Sequence, residues 1–312
     1  TALKAFKNTE LGETWVEQGE TPEWERLLER REDYRIGTVP IGAALLCAGV
    51  DVQKDRIEVS VWAFGRGKEA WLVEHRVLAG DTSRDTVWQR LREMLDESWT
   101  HASGVQLRLS RIGLDTGFAT QEAYAFVRKL RDPRLLPMKG VARGAALVGL
   151  PTAVDMTVGG KKLRRGVRVY SVVGGIAKLE FYNHLRKTME VTEDGEILYP
   201  AGYIHLPKVD AEFVQQLCSE QLVTRRDRNG YPVREWQKLR ERNEALDCYV
   251  YARAAASLAG LDRYEERHWR ELEKPLGLAG PPEDAQSTKQ EATPSGGFVV
   301  SKGPQRGRRL IR

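Results

Sequence analysis

The stretch ALLCAGVDV, residues 44–52, constrains the fold of this chain more than any other. It is apolar almost throughout and does not alternate, as a strand buried on both faces requires. A sheet covered on both sides needs helices on both sides, so the stretch predicts an α/β fold. Yet the run ends on a charge, Asp51. A buried carboxylate is costly unless an arginine, a helix terminus or a metal ion meets it.

The neighbouring segments give the strand its surroundings. RIEVSVWAF (56–64) alternates Ile57, Val59, Val61 and Ala63 against Glu58, Ser60 and Trp62, which predicts a strand with the first set inward. EAWLVEHRVL (69–78) follows a turn at Gly65–Gly67, and turns this short make consecutive strands antiparallel. DTSRDTVWQRLREMLDESW (81–99) predicts an amphipathic helix through Val87, Leu91, Met94 and Leu95. LRLSRIGLD (107–115) predicts a fourth strand, which ends on a second aspartate, Asp115. A helix capped by Thr120 follows, then a fifth strand, RLLPMKG, and a glycine- and lysine-rich hairpin region over 157–172.

GGIAKLEFYNHLRKTM predicts a further helix, and 203–218 a short strand and a short helix. The segment from Gln221 to Arg240 predicts a hairpin through Asn229-Gly230. NEALDCYVYARAAASLAGL (243–261) predicts a late helix. Three antiparallel strands, a helix, a strand, a helix, a strand and a late helix form the order of a ribonuclease-H-like mixed sheet flanked by helices. That order alone does not establish a function.

The flanks differ in character. Residues 1–40 read as a lead-in with a short helix, Thr21 at its N-cap and Pro22 at its first position. Gly37, Pro40 and Gly42 then break the chain. From 274 onward Gly, Pro, Ser and Gln dominate, and the chain ends on Lys302, Arg306, Arg308, Arg309 and Arg312 with no acid after Glu291. This composition predicts a flexible basic tail. The expected organisation is therefore a lead-in over 1–40, one α/β domain over 41–273 and a tail over 274–312.

The three cysteines, Cys47, Cys218 and Cys248, form no C-x-x-C pair and read as buried thiols in a reducing compartment. No apolar run reaches about 18 residues, so no membrane span is predicted. No signal peptide opens the chain. The expected location is intracellular, and a start at Thr1 suggests a fragment or a processed chain.

Asp51, Asp115 and Asp247, which falls in the first turn of the late helix, stand out by position. If the first and fourth strands are neighbours, Asp51 and Asp115 lie side by side, and the late helix can bring Asp247 to them. Three such carboxylates repel one another unless they share cations. Mg²⁺ or Mn²⁺, two ions in this reading, would suit the oxygen ligands and activate water for phosphodiester hydrolysis. Taken singly, an aspartate at a strand end is more often a turn former or a cap. Asp55 and Glu244 are possible outer groups of the site. Glu180 is expected to face solvent. Of the scattered histidines only His205 stays a candidate.

Neither a P-loop nor a G-x-S-x-G elbow is present. The formal net charge is +5, and the basic residues are bunched. KKLRRGVR carries Lys161, Lys162, Arg164, Arg165 and Arg168; the second hairpin carries Arg225, Arg226, Arg228 and Lys238, with Tyr231 and Trp236 interleaved. Such groups suit a phosphate-tracking surface, and equally a solvated edge hairpin protected by charge.

Together, LKAFKNTELGETW, AGVDVQKDRIEVSVWAFGRGKEAWL, IGLDTGFATQEAYAFVR and RNEALDCYVYARAA resemble the nuclease part of the large terminase subunit of lambda-like tailed bacteriophages. The resemblance implies a metal-dependent endonuclease that cuts concatemeric double-stranded viral DNA during packaging in the host cytoplasm. It puts the metal ligands on Asp51, Asp115 and Asp247. It implies a small terminase subunit and the procapsid portal as partners, and an ATPase preceding residue 1. Two alternatives stay open. A resolvase-like nuclease on the same fold would prefer four-way junctions. A DNA-gripping and portal-docking module would bind DNA without cutting it.

Overall fold

The computed structural model describes residues 21–278 apart from 159 and 227. The first part of the lead-in, with the LKAFKNTELGETW segment, lies outside the described residues. So does the tail from residue 279 onward.

An eight-stranded mixed sheet organises the chain, running from edge to edge through Ile204–His205, Ala70–Ala79, Arg56–Gly65, Ala43–Val52, Arg111–Asp115, Leu135–Val141, Lys161–Val173 and Thr152–Val158. Its centre is β2 (Ala43–Val52), buried at every position. β3 (Arg56–Gly65) and β4 (Ala70–Ala79) follow antiparallel; β7 (Arg111–Asp115) and β8 (Leu135–Val141) continue parallel on the other side. This is the ribonuclease-H-like arrangement expected from the order of elements. β10 (Lys161–Val173) runs parallel to β8, and its antiparallel partner β9 (Thr152–Val158) forms the outer edge, so the lysine-rich hairpin extends the main sheet. At the other edge β13 (Ile204–His205) pairs with β4.

Both faces of the sheet are covered. Ile57, Val59, Val61 and Ala63 of β3 meet α2 (Asp85–Leu95) and α3 (Thr120–Leu130) in one core. Trp62 and Phe64 point into a second core, built on α4 (Gly174–Leu185), α5 (Ala211–Leu217) and α6 (Glu244–Ala259). Trp62 and Glu58 are fully buried. The alternation in β3 therefore separates two cores, not a core from solvent. Phe181 of α4 stacks on Tyr249 of α6 at 3.8 Å between ring centroids, and Trp62 meets Tyr249 edge-on at 4.9 Å. Such pairs each add about 1 kcal/mol beyond area burial.

Several local expectations shift. The fourth strand is shorter than expected, because Gln106–Leu107 (β6) turns aside to pair with β5 (Trp99–His101). The first helix, α1, is Trp24–Glu29 with Glu23 at its N-cap, while the Thr21 hydroxyl donates to Cys218 O at 3.3 Å. Ala119, in a left-handed conformation, takes the N-cap position expected for Thr120. Residues 21–40 pack on the sheet: Leu27 enters the core, and Val39 of β1 (Thr38–Val39) pairs with His101. Another helix, α7 (Glu266–Glu273), follows the late helix, and Leu276 beyond it is buried. No helix among the described residues is long and apolar enough to cross a membrane.

Candidate active site

Register brings the first two aspartates together. Val50 of β2 lies opposite Leu114 of the parallel β7, so Asp51 and Asp115 are neighbours where the two strands end. Asp247 reaches them through a close approach of α6 to the sheet. A Cβ on Gly49 would stand 1.8 Å from Cys248 O and 2.6 Å from Ala252 N. One on Gly113 would stand 2.5 Å from Tyr251 O. Only glycine lets helix backbone rest on strand backbone at these points. The first turn of α6 then sits at the strand ends.

The three carboxylates are held differently from the acids around them. Asp51 is 3% exposed, and its Oδ2 accepts a hydrogen bond from Gln53 Nε2 at 2.6 Å. Burial pushes its carboxyl up to about 8; Gln53 opposes this, and the charges of Asp247, Asp115 and Glu244 add to it. Oδ1 of Asp115 accepts from Tyr251 Oη at 2.7 Å and from the Gly117 N–H at 3.0 Å. Burial raises this carboxyl too, against those donors. Asp247 Oδ2 accepts from Asn243 Nδ2 at 2.8 Å, and Lys178 Nζ stands 3.4 Å from Oδ1. Burial raises Asp247 and Lys178 lowers it.

Glu58 pairs with Asp51 across the β2–β3 ladder and is fully buried. Its Oε1 accepts from Arg56 Nε at 2.7 Å and from Arg242 Nη2 at 2.8 Å. Glu244, expected as an outer group, binds Arg56 and Arg242. Its charge reaches Asp51. Asp55 does not join the site: it is 74% exposed and holds Arg56 Nη1 at 2.8 Å. His205 lies far from it. Its partner Trp71 aligns with Ala63, and Ala63 with Leu46, five residues before Asp51. Glu180, expected in solvent, is partly buried against Arg253, with Nε 2.6 Å from its Oε1.

Sequence reasoning missed Glu58, Gln53, Tyr251, Asn243 and Lys178. Two of these carried a usable signal. Tyr251 follows Asp247 by four residues, one helical turn, and Gln53 follows Asp51 by two, on the same side of the strand.

A cleft of about 580 Å³ opens beside Asp247 and Tyr251, between Gly174 and Lys178 of α4 and Trp236 of β15 (Pro232–Lys238). β15 pairs with β14 (Glu220–Arg226) to form the second basic hairpin, so that hairpin walls the cleft. Arg225 pairs with Glu235 at 2.9 Å, Arg226 donates to Gly230 O, and Arg228 is exposed at the turn. Lys238 donates to Asn243 Oδ1 at 2.7 Å, which places it behind Asp247. Lys161, Arg164 and Arg165 are exposed on β10; the Lys162 side chain lies outside the described set. Another cavity, about 530 Å³ between α2 and α3, contains none of the three aspartates.

Among the described residues, no three acidic, histidine or cysteine side chains converge closely enough to hold one ion between them. The donor chemistry nonetheless suits a hard divalent cation: three carboxylates crowd one end of the sheet, and no cationic side chain among the described residues pairs with Asp51.

The family described as "terminase large subunit gpA, endonuclease domain" matches residues 1–269. The large terminase subunit of Escherichia phage lambda is 34% identical over 262 residues, covering 82% of this chain and 39% of that protein. That of Enterobacteria phage P21 is 32% identical over 256 residues, 81% of this chain and 38% of that protein. The chain thus spans well under half the length of either relative. It is also similar to the large terminase nuclease of thermophilic phage G20c, solved with bound magnesium. There the TM-score is 0.38 and the identity 15%, over 72% of this chain and 84% of that one. The large terminase nuclease domain of bacteriophage SPP1, solved with bound Mn, gives a TM-score of 0.30 and 12% identity, over 76% and 93%. On the match to residues 1–269 and the two phage relatives, this chain belongs to the family of terminase large subunit gpA endonuclease domains.

Proposed function

We propose that this chain is a divalent-metal-dependent endonuclease that cuts concatemeric double-stranded viral DNA during genome packaging. The observation that supports it most is the side-by-side placement of Asp51 and Asp115 at the ends of parallel strands, with the first turn of α6 beside them. Asp51, Asp115 and Asp247 would hold Mg²⁺ or Mn²⁺, two ions in this reading. The bound ions would supply activation of water and stabilisation of the leaving oxygen. Asp51, the most buried of the three, would be the ligand common to both. The Arg225–Arg228 hairpin end and the exposed Lys161, Arg164 and Arg165 would track the phosphate backbone. A small terminase subunit and the procapsid portal would be its partners in the assembled machine, acting with an ATPase of the longer subunit.

The test is to incubate the chain with supercoiled plasmid in Mg²⁺, in Mn²⁺ and in EDTA, beside Asp51→Asn. Metal-dependent nicking is expected of the wild type and not of the variant. Nicking by the variant at the wild-type rate would overturn the site assignment. DNA binding that weakens steeply with salt, without cleavage in either metal, would instead identify a DNA-gripping module.

A further inference from the structure

The acids at the site end of the sheet divide by the partners that hold them. Glu58 and Glu244 lie against guanidinium groups, with Arg56 and Arg242 each touching both. Their charge is answered within the protein. The three aspartates are each tied by a neutral donor. Gln53 Nε2 holds Asp51 Oδ2 at 2.6 Å, Tyr251 Oη holds Asp115 Oδ1 at 2.7 Å, and Asn243 Nδ2 holds Asp247 Oδ2 at 2.8 Å. Lysines stand nearby: Lys139 acts by charge on Asp115 and Lys238 on Asp247, while Lys178 lies 3.4 Å from Asp247 Oδ1 and closer, at 2.6 Å, to Glu220 Oε1.

The distinction has a physical consequence. A neutral donor fixes the rotation of a carboxylate and occupies one oxygen, but leaves the negative charge uncancelled. A guanidinium would fix it and cancel the charge as well. A carboxylate awaiting a cation needs the first arrangement: one oxygen tied back, the other presented, and the charge kept. At Asp115 the Gly117 N–H also goes to Oδ1, so both donors leave Oδ2 to be presented. Asn243 and Tyr251 bracket Asp247 on α6, so one helix carries one aspartate and orients two. Tyr251 is 8% exposed, and a buried phenol at this position contributes little beyond a phenylalanine except its hydroxyl.

We propose that Gln53 and Tyr251 are positioning residues, neutral donors that aim the other oxygen of Asp51 and of Asp115 at the metal while preserving its charge; at Asp247, Asn243 shares the task with Lys178, which faces the second oxygen. The proposal rests on the metal-ligand reading given above.

The test is Mn²⁺ binding to this chain by titration calorimetry without DNA, for wild type, Tyr251→Phe, Gln53→Leu and Asp51→Asn. The unfolding midpoint of each is measured without metal. Tyr251→Phe keeps the ring and removes only the hydroxyl. Gln53→Leu changes a partly exposed residue just past the end of β2, so it carries the test should the first variant fold poorly. Both are expected to weaken Mn²⁺ binding by about 10- to 100-fold with little change in the metal-free midpoint. Their cleavage should recover in excess Mn²⁺ with KM for DNA unchanged, which a merely structural defect would not do. Wild-type Mn²⁺ affinity in both, while Asp51→Asn loses binding, would overturn the positioning role and leave the ligands standing. Wild-type affinity in Asp51→Asn would overturn the ligand reading and this proposal with it.

Discussion

Glu58 shows how the site end of the sheet is built one residue at a time. Its side chain is fully buried, one ladder position from Asp51. Burial pushes its carboxyl up, but His75, Arg56 and Arg242 outweigh that and hold it at about 2. Its folded value thus lies below the ordinary glutamate value of about 4.3. The stability it contributes is present above that value and is lost as pH falls toward 2. Glu58→Gln should therefore be less stable than wild type at pH 7, and should lose less on going from pH 5 to pH 3. Urea midpoints across that range check this, and parallel curves would refute it. Glu58 was hidden in the sequence because it occupies the outward set of an alternating strand, and only the second layer of helices makes that side interior. Asp51 and Asp115 were legible because a charge closing an apolar run stands out whatever packs around it.

At the scale of elements, the site depends on how closely α6 lies on β2 and β7. The contact is backbone to backbone at Gly49 and Gly113, and the helix presents small residues there, Ala252 among them. Gly49→Ala would press a methyl group into the carbonyl of Cys248 and the nitrogen of Ala252, neither of which can swing aside. Overpacking of this kind costs roughly 3 kcal/mol. Thermal unfolding should show that loss. Cleavage should fall further than the stability loss alone explains, because the turn bearing Asp247 lifts from the strand ends. Full activity in a folded Gly49→Ala would refute the claim that this contact sets the site. The strands themselves were readable because short turns dictate antiparallel neighbours and apolar runs dictate burial. The crossing of α6 was not readable. A glycine inside a strand does not say which backbone approaches it, and the neighbour lies some 200 residues away in sequence.

At the scale of the whole molecule, the lead-in is fastened to the β13 edge of the sheet, with β4 and β3 between it and β2. His205 of β13 holds Glu32 on Nδ1 at 2.8 Å and Glu69 on Nε2 at 2.6 Å, so one imidazole joins the lead-in to the start of β4. Its ring stacks on Trp71 at 4.6 Å between centroids and meets Tyr199 and Tyr203 edge-on. The Tyr34 hydroxyl donates to the carbonyls of Leu72 and His205, and Arg30 lies over the Tyr203 ring. Both ring nitrogens face carboxylates, and this arrangement favours the protonated ring. Burial lowers its pKa, but Glu32 and Glu69 outweigh that and raise it above the ordinary value. A raised folded value places the stabilisation fully below about pH 6.5 and removes it as pH rises through the folded pKa. The unfolding midpoint of the wild type should therefore fall between pH 6 and pH 9. His205→Gln should start lower at pH 6 and change less over the same interval. In the wild type at pH 9 the amides of Glu32 and Gly37, which donate to Leu206 O and Val73 O, should lose hydrogen-exchange protection ahead of β2. If the two proteins lose stability in parallel from pH 6 to pH 9, the charge on His205 does not hold the lead-in, and packing at Leu27 and Tyr34 must do so alone.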